Sequence, residues 1–153
     1  MSANTDLYRF LYNNDGVTSI DASSWAFTNA LTTMQDMIRG SEVTDIEFGS
    51  SSDFSGITTF QNFSLSTNSL TSIDFPANAD FSSVTNMTNF MGASDTHMST
   101  AEYDNFLVRF NATNSNSGMT LSFGQCQYTT ATSGTAHAAI IARGNTIIDN
   151  GGI

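Results

Sequence analysis

Apolar residues recur along this chain with a long period. "VTSID" begins at Val17, "VTDIE" at Val43 and "LTSID" at Leu70, in steps of 26 and 27 residues. A second echo follows each: "LTTMQDM" from Leu31, "ITTFQNF" from Ile57 and "VTNMTNF" from Val84, again 26 and 27 apart. Phe27, Phe54 and Phe81 stand between the echoes at steps of 27. Seven apolar positions therefore recur in each unit. They are Val17, Ile20, Ala22, Phe27, Leu31, Met34 and Met37; then Val43, Ile46, Phe48, Phe54, Ile57, Phe60 and Phe63; then Leu70, Ile73, Phe75, Phe81, Val84, Met87 and Phe90. Self-similarity at a fixed period marks a repeat architecture.

Each echo predicts one wall of a unit. The first has two apolar residues separated by one polar residue. That alternation predicts a short strand with the apolar side chains inward and their neighbours outward. The second has apolar residues at i, i+3 and i+6, which predicts a turn or short 3₁₀ segment returning along the opposite wall. One unit cannot bury its own apolar side, so burial requires stacking, with successive strands parallel. The fold class expected is α/β, a short leucine-rich-repeat-like solenoid with parallel strands on one face and helical caps. The single domain divides into an N-terminal cap (1–16), three repeats (17–94) and a C-terminal cap (95–153). Leu7, Phe10 and Leu11, behind Thr5 and Asp6, predict a short amphipathic helix in the first cap. In the second cap, Ser99 and Glu102 form a capping box ahead of the helical stripe Tyr103, Phe106, Leu107 and Phe110. Residues 111–118 then read as a loop, "MTLSF" as a strand, "GTAHAAIIARGN" as a helix stopped by Gly144, and "TIID" as a last strand. "DNGG" (149–152) reads as a terminal turn.

Composition narrows the function classes. The 153 residues suit one domain, and only 12% are charged. The basic residues are Arg9, Arg39, Arg109 and Arg143, set against 14 acids, for a net charge of −10. Nucleic acid is an unexpected partner, because phosphate binding needs clustered Lys or Arg. Anionic membrane surfaces are disfavoured for the same reason. No run of about 18 apolar residues predicts membrane insertion, and no secretory leader is visible in "MSANTDLYRF". The single cysteine, Cys126, leaves no internal disulfide and reads as a small buried thiol.

The unit "FSSVTNMTNF" resembles that of BspA-like leucine-rich repeats, and "MSTAEYDNFLVRF…MTLSFGQCQYT…AAIIARG…IIDNGG" resembles the C-terminal end of such proteins in bacteria and bacteriophages. The likeness spans residues 17 to 153. It implies surface display, adhesion or a place on a phage particle, and it supplies no catalytic residues. The expected function is a non-enzymatic virion surface protein, a capsid decoration plate. The alternative is a receptor-binding adhesin at a tail-fibre tip or on a bacterial surface. Partners would be other virion proteins or a host receptor, and no cofactor is expected. Capsid or tail location, copy number and oligomeric state stay open at this level.

The candidate binding residues are Asp21, Asp45, Glu47 and Asp74, which the predicted register turns outward. Asp21, Glu47 and Asp74 would then stack about 5 Å apart. Like charges at that spacing repel by roughly 1–3 kcal/mol at an effective dielectric between 20 and 80. Water, a cation or a neighbour's Arg or Lys would offset this. A merely solvated acidic face is the plainer reading, and docking to a basic patch is the functional one. Carboxylate pairs also serve glycoside hydrolysis, but the period itself explains identical acids at identical positions. His97 and His137 share no spacing with a nucleophile or metal-ligand set. No calcium loop occurs, and the N-x-[ST] triplets at Asn62, Asn86 and Asn111 fit the Asn- and Thr-rich composition. Trp25, Tyr103 and Tyr128 are candidate anchors for a partner, with Tyr103 better suited to the core.

Overall fold

A computed structural model describes residues 6–92 and 97–153. Thr5 and the repeat–cap boundary at 94 lie outside the described residues. The chain is mixed α/β, with parallel strands in two small sheets and two helices. Strands β1 (Ser19–Ala22), β2 (Asp45–Phe48) and β3 (Ser72–Asp74) pair in parallel in the order β1-β2-β3. Ile20 lies opposite Ile46, and Ile46 opposite Ile73. The inward residues are buried and the outward ones exposed in β1 and β2, the alternation the sequence predicts.

The second echoes form a ladder of turns, with parallel bridges between Thr33 and Thr59 and between Thr59 and Asn86. The amide of Met34 donates to the carbonyl of Thr59 at 3.1 Å, and that of Phe60 to Asn86 at 2.9 Å. Each turn reverses through a residue at positive φ: Asp36 (54°), Asn62 (56°) and Asn89 (54°). Asn and Asp tolerate this left-handed region better than other side chains. Threonine hydroxyls tie the units together. Thr44 and Thr71 donate to the carbonyls of Thr18 and Thr44, while Thr58 and Thr85 donate to those of Thr32 and Thr58. Glycine is required where the backbones of neighbouring units come into contact. A Cβ on Gly56 would sit 1.9 Å from the carbonyl oxygen of Asn29.

The N-terminal segment departs from the expected helix. Residues 8–13 form turns, and Asp6 bridges Thr33 in parallel. The amides of Leu7, Leu11 and Asn13 donate to the carbonyls of Thr33, Met37 and Arg39 at 2.9, 2.7 and 2.9 Å. Arg9 even repeats the positive φ, at 56°. This segment is one more rung of the turn ladder. These amides already have acceptors on the next rung, so a helix offers them nothing further.

The C-terminal half follows the sequence reading more closely. Helix α1 (Thr100–Thr113) begins with the Ser99–Glu102 capping box. It runs three residues into the predicted 111–118 loop, because Thr113 bonds both Arg109 and Phe81. Strand β4 (Thr120–Ser122) extends the turn ladder through a Met87–Leu121 bridge and pairs in parallel with β5 (Thr146–Ile148). Helix α2 (Thr130–Ala142) starts four residues before the predicted Gly134 and packs on α1, with Asp104 accepting from the Thr129 amide and the Ser133 hydroxyl. Gly144 follows it at φ +90°. Residues 149–152 are more than a turn, since Gly152 bridges Tyr128.

The core runs the length of the molecule. Of the recurring apolar positions only Val17, Phe27 and Phe75 are half-buried; the others are buried. Phe54 sits 5.2 to 5.9 Å from the rings of Phe27, Phe48, Phe75 and Phe81. Phe106, Phe110 and Phe123 continue the aromatic column into the C-terminal half.

Candidate functional site: the acidic strand face

The register of the strands aligns Asp21 with Glu47 and Glu47 with Asp74. All three are exposed. Asp45 is exposed too, but it stands beside the row, flanked in register by Ser19 and Ser72. The Arg39–Asp36 ion pair and the His137–Asp149 contact among the described residues lie elsewhere.

The three acids of the row do not share one environment. Asp21 accepts from the amide of Ser23 at 2.9 Å and from its hydroxyl. The hydroxyl first, then the amide, hold its carboxyl below the usual range. Asp74 is shifted the other way. Partial burial raises its pKa, and the neighbouring Glu102 raises it further. Asp45 accepts from the Thr44 hydroxyl at 2.8 Å.

Glu102 extends the row onto α1. Its carboxylate accepts from the Ser99 amide at 2.8 Å and Ser99 hydroxyl at 2.6 Å, and from the hydroxyl of Ser72 on β3. The sequence identifies Glu102 only as half of a capping box. The same carboxylate also bridges helix to strand. Next to it opens a cleft of about 650 Å³, lined by Asp74, Pro76, Glu102, Asn105, Val108 and Arg109 among others. The Arg109 Nε donates to the carbonyl of Ala79 at 2.6 Å, which holds the guanidinium at the cleft wall. The cleft therefore carries carboxylates, an amide, a guanidinium and apolar surface.

The other candidates take structural positions. Tyr103 is buried, and its hydroxyl donates to Asp149 at 2.6 Å. Burial, then that bond, pushes its pKa up. His137 stacks on Tyr128 at 4.4 Å and lies 3.2 Å from Asp149. Cys126 is buried, its sulfur accepting from the Met98 amide; burial pushes the thiol up to about 12. Trp25 is half-buried, edge-on to Phe10 at 5.6 Å. Among the described residues no group of three His, Cys, Asp or Glu is placed to hold a metal ion. No helix among them is long and apolar enough to cross a membrane. Comparison with protein-family models, curated proteins and solved structures finds no match.

Proposed function

We propose that this chain is a non-enzymatic bacteriophage virion surface protein, a capsid decoration plate, which docks through its acidic strand face. On this reading the architecture is a short solenoid of BspA-like leucine-rich-repeat type, exposed on the particle surface. The observation that carries it is the aligned row Asp21–Glu47–Asp74, continued by Glu102. A row of carboxylates at strand spacing, about 4.8 Å, favours a cationic neighbour that lowers its self-repulsion. The low charge content and absence of lysine suit a displayed plate more than a nucleic-acid or membrane binder.

The test is reconstitution on particles. Purified protein is added to particles depleted of it, and bound copies are counted by quantitative mass spectrometry and immunogold labelling. A high, fixed copy number on the head is expected, falling several-fold for the Asp21→Asn, Glu47→Gln, Asp74→Asn triple variant. Undiminished binding by that variant would remove the acidic face from the proposal.

A second reading, a receptor-binding adhesin, is favoured by the cleft beside Asp74. Its hydrogen-bonding groups over apolar surface suit a polar ligand such as a glycan. Saturable binding of purified protein to host cells, with few copies per particle, would select it.

A further inference from the structure

We infer that this protein associates head to tail with a second copy of itself, the α2–β5 end of one protomer seating on residues 6–13 and β1 of the next. The backbone supplies the first reason. Residues 6–13 pair with the 33–39 turn on one side, and β5 pairs with β4 on one side. Among the described residues the outer edges of both carry no pairing partner, and they stand at opposite ends of one continuous ladder. Every pairing in that ladder is parallel. A β5 edge therefore meets the 6–13 edge of a second copy in the same sense as all the rungs within one chain. Exposed pairing edges are ordinarily blunted by charge, proline or a covering element.

Apolar exposure has the same polarity. The large exposed apolar residues are Tyr8 and Phe10 at one end, and Ile141, Ile148 and Ile153 at the other; Val108 alone lies elsewhere among the described residues. A hollow of about 390 Å³ opens beside Phe10, between Leu7, Trp25, Phe27 and Leu31. At the same end β1 is the edge of its sheet among the described residues.

Helix α2 supplies the third reason. Its sequence "TATSGTAHAAIIA" contains no Asp, Glu, Lys or Arg. Its exposed residues include Ala131, Thr135, Ala138, Ile141 and Ala142. A surface helix ordinarily carries a charged outer face; the outer face of α2 is uncharged, small Ala and Thr residues with Ile141. Charge also permits the contact. After Asp104 the only acid is Asp149, whose side chain is 8% exposed. The opposite end exposes Asp6, Asp15 and, on β1, Asp21. The chain's net charge of −10 therefore does not set two acidic surfaces against each other here. A contact between unlike ends is heterologous, and it propagates or closes into a ring.

The experiment is complementation between two end-blocked variants, Phe10→Glu and Ile148→Lys, read by light scattering and sedimentation velocity from micromolar to near-millimolar concentration. Both sites are exposed, and circular dichroism with thermal melting verifies folding; Tyr8→Glu replaces Phe10→Glu if the latter fails to fold. The parent is expected to grow in mass beyond its 16.4 kDa chain as concentration rises. Each variant alone should stay monomeric. Their equimolar mixture should form a species of twice the chain mass that grows no further, because one intact head then meets one intact tail. A parent that stays monomeric throughout overturns the inference. So does self-association of either variant alone, which would point to like ends pairing with like or to a different surface.

Discussion

Replacing Phe54 by alanine tests whether the repeats share one core. Phe54 is fully buried in the central unit, with four rings around it at 5.2 to 5.9 Å. Three of those rings belong to neighbouring units, Phe27 before and Phe75 and Phe81 after. Phe→Ala in a core costs about 3–5 kcal/mol through lost transfer energy and the cavity left behind. The upper half of that range applies here. The Gly56 backbone is already wedged against Asn29, so the units cannot close further to fill the void. A domain of this size has a total stability of about 5–15 kcal/mol. With a urea m-value near 2 kcal/mol/M, a loss of about 4 kcal/mol lowers the midpoint by about 2 M. Equilibrium urea unfolding followed by circular dichroism reads this directly. Val108→Ala, at a position 46% exposed, is the control and should shift stability by less than about 0.5 kcal/mol. A Phe54→Ala midpoint within experimental error of the parent, at unchanged m, would refute the shared aromatic column.

Three further outcomes follow from local geometry. Gly56→Ala forces a Cβ onto the Asn29 carbonyl and should destabilise by about 1–3 kcal/mol in the same urea assay. Asp74→Asn should stabilise at neutral pH. Because burial and Glu102 raise the folded-state pKa of Asp74 above 3.8, the folded state holds the extra proton in that window and stability falls as pH rises through it. The gain from Asn is therefore full above the window and absent below pH 3.8, which thermal melts across pH would trace. Cys126, buried with its thiol pushed up to about 12, should resist thiol reagents at pH 8 in the native protein and react on unfolding, as colorimetric titration would read.

The repeats were legible because each unit solves the same burial problem with the same residue types at the same spacing. Ile20, Ile46 and Ile73 fall on neighbouring rungs for that reason. The N-terminal rung was misread because its spacing is ambiguous. Leu7, Phe10 and Leu11 lie one period of 27 before Met34, Met37 and Ile38, yet i, i+3, i+4 is also the helical stripe. The leading apolar residue of the echo, Leu31, has the polar Asn4 as its counterpart, which hid the repeat. The left-handed column was hidden likewise. Asp36, Asn62 and Asn89 suit it, whereas Arg9 does not announce it. At the candidate site, the sequence placed Asp21, Glu47 and Asp74 in one row. It could not place Glu102 beside them, since that contact depends on how α1 lies across β3.

That contact makes the row graded, and the grading gives the docking proposal a signature that a uniform acidic surface lacks. Asp21 is already stabilised as an anion by Ser23, so a cationic partner relieves little there. Asp74 is held as an anion against partial burial and against Glu102, so a cation beside it relieves most. A basic ligand along the row should therefore draw its energy from the Asp74 end and expel the proton that Asp74 retains at acid pH. By linkage, affinity rises with pH through the folded-state pKa of Asp74 and levels off above it. An oligo-arginine peptide serves as the probe, with calorimetry in buffers of different ionisation enthalpy to count protons. Proton release is expected on the acid side of that range and none at neutral pH. Asp74→Asn should reduce the release and weaken binding more than Asp21→Asn does. Equal losses from the two substitutions, with no proton release, would mean that the row binds only as diffuse charge, and salt alone would then govern its affinity.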